Sequence, residues 1–185
     1  KRIIDAVNFD EYDVIRSAHI KDYQSLYNCS SIDLCAETSD SLPLPKRLRN
    51  FARKQNDTGL IELLFNYGKY LLISSSRKDN MLPANLQGIW CKDYKAPWHC
   101  DYHTNINVQM NYWCAGPANI VHCTKTFADF ICSLPENGSK TAKAYYNAPG
   151  WTLYTISNPW YWTSPGWGGI RCKRLCSSTT CANAV

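Results

Sequence analysis

The sequence predicts a mainly α chain, built as a layered array of helices rather than a small bundle. Three observations carry this. Apolar residues recur at helical spacing through most of the readable chain. The run 60–73 is apolar nearly all round, so it should be buried on most sides. Strand signals are short, and no internal repeat is visible.

Taken in order, Ser17 is expected to cap a helix carrying Ile20, Tyr23 and Tyr27. Residues 31–34 suggest a short strand. Pro43 and Pro45 open a basic helix, with Leu48, Phe51 and Ala52 inward and Arg47, Arg49, Arg53 and Lys54 outward. A solvated helix face explains that charge run without nucleic acid. Thr58 is a good N-cap for the run 60–73. Asn111, Tyr112 and Trp113 suggest a helix start, with Met110 and Trp113 inward. A further helix over 118–134 puts Cys123, Phe127, Phe130 and Leu134 on one stripe, and Pro135 ends it. Residues 151–156 read as a second short strand.

Composition narrows the class. The chain has 185 residues, 45% hydrophobic and 19% charged, with 9 Gly and 9 Pro. This fits one ordered domain and excludes collagen, coiled coil and long disordered tail. A net charge of +5 is low for a nucleic-acid binder of this size. No apolar run reaches the ~18 residues that a membrane helix needs. Lys1, Arg2, Ile3, Ile4 and Asp5 lack the apolar region of a signal peptide, so either a mature protein begins here or the chain is part of something longer. The 10 cysteines form no Cys-x-x-Cys pair. Cys114, Cys123 and Cys132 recur every nine residues, which on one helix would face Cys123 and Cys132 opposite ways. Cys172, Cys176 and Cys181, beside Lys173 and Arg174, form a weak zinc candidate, and buried or free thiols are preferred. Sequons at Asn28, Asn56 and Asn137 show no compartment.

The stretch 82–113 differs in character, mixing Pro, Asn, Gln, Gly, Trp, His and Asp with little amphipathic period. Within it, His103, Asn105, Asn107 and Gln109 alternate with Thr104, Ile106, Val108 and Met110. That is the period of an extended strand, which would aim an imidazole and two carboxamides at one point. Carboxamides hold water or sugar hydroxyls without the desolvation cost of a buried charge. Trp90, Trp98 and Trp113 bracket this row, and aromatic rings suit the C–H faces of a sugar. A polyhydroxylated ligand is therefore expected, against the plainer alternative of an edge strand with a wet polar face.

Two long motifs carry a resemblance. The first is Leu82-Pro83-Ala84-Asn85-Leu86-Gln87-Gly88-Ile89-Trp90; the second, after Trp98, runs from Asp101-Tyr102-His103-Thr104-Asn105 through Ile106-Asn107-Val108-Gln109-Met110 to Asn111-Tyr112-Trp113. Together they resemble the signature of glycoside hydrolase family 95, inverting α-L-fucosidases with some α-L-galactosidases. The segment from Tyr67-Gly68-Lys69-Tyr70 to Arg77 is similar to the helix that precedes it in the family.

The resemblance implies part of an (α/α)6 toroid over residues 1–168, strongest over 57–151, with 169–185 an unassigned Cys-rich tail. It implies a fucose pocket in which Asn107, helped by Asn105, positions the attacking water, with an Asp acting on it from elsewhere. His103, Asn105, Asn107, Trp98, Asp101 and Gln87 are the expected substrate-binding residues. The expected partner is a fucosylated oligosaccharide or glycan, with no nucleic acid, membrane, metal or cofactor, and the family suggests an extracellular or periplasmic setting. The segments bearing the family's acid Glu and its Asp partner are not matched, and Cys114-Ala115-Gly116 departs from the expected Pro-Ala-Glu. The chain is therefore expected to be a truncated or degraded member, with a non-catalytic carbohydrate-binding remnant as the alternative and a zinc-bound interaction module as a third reading.

Overall fold

The computed structural model describes residues 12–35, 42–54 and 57–166. Lys1 to Asp5, Asn56, and Cys172, Cys176 and Cys181 with the tail 169–185 lie outside the described residues. In chain order the elements are α1 (Tyr12–Tyr27), α2 (Leu44–Lys54), α3 (Thr58–Ser75), β1 (Tyr102–His103), α4 (Asn107–Tyr112), α5 (Lys125–Tyr146) and β2 (Ile156–Ser157). Short 3₁₀ turns cover Trp113–Ala115 and Val121–Thr124. The chain is mainly helical, as expected.

Several boundaries move for identifiable reasons. Ser17 lies inside α1 rather than capping it. Asp57, not Thr58, caps α3: its carboxylate accepts from the Leu60 N–H at 2.9 Å. The same carboxylate takes Nε and Nη2 of Arg47 at 2.9 and 2.7 Å. This bidentate pair turns Arg47 inward, so α2 does not follow its apolar-in pattern. Leu48 is left 52% exposed, and Ala52 is exposed too. Residues 31–34 form no strand. There the chain is held from outside, by Leu34 N–H donating to Glu62 Oε1 at 2.6 Å.

α3 is buried on one side only. Leu60, Leu72 and Ile73 face inward, whereas Ile61, Leu63, Leu64, Tyr67 and Tyr70 are exposed. Lys69, inside this apolar helix, is fully buried. Its ammonium donates to the carbonyls of Tyr27 and Ser30 at 2.5 and 2.6 Å and lies 4.5 Å from the Tyr27 ring centre. A cation on the last carbonyl of α1 and on one just beyond it satisfies groups that the helix itself cannot. Burial pushes the Lys69 ammonium below its ordinary value.

The core joins Leu72 and Ile73 of α3 to Val108 and Tyr112 of α4 and to Phe130 and Leu134 of α5. A polar knot lies inside it. The Tyr112 hydroxyl accepts from the Ala84 N–H at 2.9 Å, so its proton goes to Ser76 Oγ at 2.8 Å. Ser76 in turn donates to the Cys123 carbonyl at 2.9 Å and accepts from Thr126 Oγ1 at 2.9 Å. Every hydroxyl there has a partner. Met110 and Trp113, expected inward, are 49% and 63% exposed, because α4 turns Val108 and Tyr112 to the core instead.

α5 does not stop at Pro135; it continues to Tyr146. Its inner stripe runs on through Leu134, Gly138, Thr141 and Ala142. Gly138 lets residues 151–153 lie against the helix: a Cβ there would stand 2.9 Å from the Thr152 carbonyl oxygen. Packing of this stripe outweighs the ~3 kcal/mol that an interior proline costs. Cys123 is buried at the start of the stripe and Cys132 is exposed. Asn137 donates from Nδ2 to the Tyr161 carbonyl at 3.1 Å, so its side chain is part of the fold rather than an open glycan acceptor.

Candidate functional site

The antiparallel pair β1–β2 is two residues long on each side, with Tyr102 opposite Ser157 and His103 opposite Ile156. The strand expected over 151–156 is therefore confined to its end. The extended strand expected over 103–110 is also not formed. Only His103 is in a strand; residues 104–106 turn, and α4 begins at Asn107. Thr104 fixes the turn, with its N–H on the Thr155 carbonyl and its hydroxyl on the Tyr154 carbonyl, both at 2.8 Å. Gln109 leaves the polar row: inside α4, its Nε2 donates back to the Thr104 carbonyl at 2.8 Å.

The turn nevertheless brings His103, Asn105 and Asn107 to one place. They line a cavity of about 580 Å³, together with Gln87, Trp98, His99, Asp101, Leu86, Thr155 and Ile156. All six residues singled out in the sequence as substrate-binding thus share one wall or another of it. His99, Thr155 and Ile156 were not anticipated. Nothing in their local pattern marks them, since Thr155 and Ile156 arrive by pairing from about fifty positions downstream.

Each wall is held from behind. Leu86 N–H donates to the Asp101 carbonyl at 3.2 Å, which closes the loop 86–101 at its base. The Gln87 side chain donates from Nε2 to the Pro97 carbonyl at 2.7 Å. Its Oε1 is buried and has no protein partner among the described residues. Trp98, His99 and Cys100 are all left-handed, at φ 54°, 58° and 53°. Such a run is costly for residues with a Cβ and is kept only where the surroundings over-determine it. It sets the Trp98 ring at the rim, 61% exposed and edge-on to His103 at 5.9 Å between ring centres. Trp90 and Trp113 do not line this cavity.

The site sets a few polar side chains in a mostly apolar lining and is nearly uncharged. Asp101 is the one carboxylate among the described residues that line it. Burial pushes its carboxyl above the ordinary value, while His99 and His103 pull it the other way. Carboxamides, an imidazole and an indole suit a neutral, hydroxyl-rich ligand whose ring can stack while its hydroxyls hydrogen-bond. Among the described residues, no group of three His, Cys, Asp or Glu side chains could hold a metal ion, and no helix is long and apolar enough to cross a membrane.

The family model described as Glycosyl hydrolase family 95 catalytic domain matches residues 11–183. That span includes most of the Cys-rich tail. Among named relatives, "Alpha-L-fucosidase 2" of Arabidopsis thaliana is 42% identical over 170 residues, 89% of this chain and 20% of that protein. "Probable alpha-fucosidase A" of Aspergillus niger is 35% identical over 151 residues, covering 80% of this chain and 19% of the relative. The protein of the same name from Aspergillus oryzae is 37% identical over 149 residues, 78% of this chain and 20% of its own length. The chain therefore spans about a fifth of the length of the curated relatives it matches. Because the match takes in both the helices and the loops that build the cavity, the chain belongs to the catalytic domain of glycosyl hydrolase family 95.

Proposed function

We propose that this chain forms one side of the sugar pocket of an inverting α-L-fucosidase, within an (α/α)6 toroid of which it is a part. In this reading Asn107 and Asn105 hold the attacking water, and His103, Trp98, Asp101 and Gln87 bind the fucosyl residue. The observation that carries it is the convergence of both carboxamides, the His103 imidazole and the Trp98 indole on one cavity. The names of the relatives supply the sugar.

Inversion requires a general acid on the leaving oxygen and a base that activates water, typically on carboxyl groups about 6.5–9.5 Å apart. Asp101 is read here as a substrate contact, so both groups must come from outside the residues that line the cavity for turnover. The lack of an acid–base pair among the described lining residues favours a second reading, a site that binds the fucosyl group without cleaving it.

The test is to follow a chromogenic α-L-fucoside with the full-length protein while recording the anomer first released by NMR. Release of β-L-fucose is expected. Release of the α anomer would overturn inversion, saturable binding without turnover would favour the binding-only reading, and neither binding nor turnover would end the assignment.

A further inference from the structure

The rim of the cavity is carried by the loop 86–101, whose two sides return to one another. Leu86 is bonded to Asp101 across its base, and the Gln87 side chain crosses to the Pro97 carbonyl. On the outgoing side the Trp90 N–H donates to the Gln87 carbonyl at 3.2 Å, a turn that ends just before Cys91. On the returning side the His99 N–H reaches the Ala96 carbonyl at 3.0 Å, and the Asp101 N–H reaches that of Trp98 at 3.3 Å. Between these fixed points Cys91 and Cys100 face each other, each half-buried and each a free thiol. The Cys100 thiol is within hydrogen-bonding reach of the Cys91 sulfur. Cys91 Sγ also lies 3.7 Å from the Asp93 carbonyl, to which it donates, so it is turned into the loop.

The returning side holds the left-handed run Trp98, His99 and Cys100, and Trp98 and His99 line the cavity. A covalent tie at Cys100 would remove the open loop conformations in which that run relaxes. Partial burial, and then the Cys91 thiol, push the Cys100 thiol above its ordinary value. The raised value slows oxidation without preventing it, because exchange proceeds through the thiolate fraction.

We propose that Cys91 and Cys100 form a reversible disulfide that ties the loop 86–101 across its two sides and fixes the Trp98–His99 rim of the cavity. With glutathione disulfide as the oxidant, one cysteine thiolate attacks it and releases one glutathione. The second thiolate then displaces the other glutathione from the mixed disulfide. One S–S bond forms in the protein and one breaks in the oxidant, and the two glutathione thiols carry away the two electrons and two protons. A dithiol reductant reverses the exchange. The proposal is independent of whether the cavity cleaves its ligand or only binds it.

The experiment treats the full-length protein with glutathione disulfide, blocks the remaining thiols with iodoacetamide and maps the tryptic peptides. Lys92 and Lys95 lie between the two cysteines, so trypsin places them on separate peptides, 79–92 and 96–125, which a disulfide would hold together. The joined pair is expected, and dithiothreitol should release it. Peptide 96–125 also carries Cys114 and Cys123, so Cys100→Ser must abolish the link and Cys114→Ser must leave it. In limited proteolysis, cleavage after the exposed Lys95 should slow about fivefold or more on oxidation, because cutting needs the loop to open locally. Cys91→Ser should remove that difference. Absence of the joined peptides, a link that survives Cys100→Ser, or equal cleavage rates before and after oxidation would overturn the proposal. Should Cys100→Ser fail to fold, fragment spectra of the joined peptides identify the second cysteine, and Cys114 or Cys123 in that place would overturn it equally.

Discussion

The two ends of α3 make the most instructive contrast in the molecule. From Lys69 to Ser76 the chain is sealed except at Tyr70: Leu72 and Ile73 join the core with α4 and α5, and the polar atoms of Lys69 and Ser76 each find partners. From Leu60 to Tyr67 the same helix presents Ile61, Leu63 and Leu64 to water. The residue types are nearly alike in the two halves. Hydrophobic pattern therefore states which surfaces seek cover, whereas burial depends on what other segments arrive to cover them.

The sharpest way to break this contrast is to remove one ring from the core that covers the closed half. Phe130 is 2% exposed and lies 4.6 Å from the Tyr102 ring centre. Phe130→Ala should cost about 3–5 kcal/mol in urea unfolding, whereas Leu64→Ala, at a residue 68% exposed, should stay within about 0.5 kcal/mol. Similar losses at both positions would show that the bare half of α3 is covered in solution.

Next in size is the cavity itself. In the full-length protein Asn107→Ala should lower kcat by at least about two orders of magnitude, with kcat/KM falling in step, as expected for a contact made chiefly in the transition state. Ile106→Ala, one residue away and 43% exposed, should leave kcat near its starting value and cost well below the ~2–5 kcal/mol of a buried position. A rise in KM alone for Asn107→Ala would reassign it to ground-state binding.

Tyr112→Phe tests the knot. It leaves the Ala84 N–H without its acceptor and Ser76 without one donor, so a loss of about 1–3 kcal/mol in thermal unfolding is expected. The smallest effect concerns Asp57. The hydrogen bond from Arg47 holds its carboxyl below the usual aspartate range. A folded value lowered in this way adds stability that is complete above the unfolded value and is lost as pH falls through the folded one. Asp57→Asn should therefore lower the urea midpoint at pH 7, and the gap to the unmodified protein should narrow below about pH 4. A gap that stays constant with pH would mean the carboxylate contributes only as a cap.

Much of this was legible in the residues, and the failures share a cause. Helix content and the Cys123–Phe130–Leu134 stripe follow from local period alone. Arg47 and Lys69 could not be placed this way, because the carboxylate and carbonyls that draw them inward come from other segments. Pro135 shows the same thing, since its break signal yields to Gly138 and the segment that packs there. At the cavity, alternation grouped His103, Asn105 and Asn107, but a two-residue strand, a turn and a helix start produce that grouping. Asparagine's preference for turns over strands is the local sign that an extended run would not persist.

Lys69 has one more consequence. Trypsin must cut after an exposed lysine in locally extended chain, yet this side chain is enclosed by the end of α1 and its backbone lies within α3. Cleavage at this bond thus demands both that α1 lift away and that α3 unwind around Lys69. Under native conditions the appearance of that fragment times this joint opening, so the protein carries its own clock for the parting of α1 from α3.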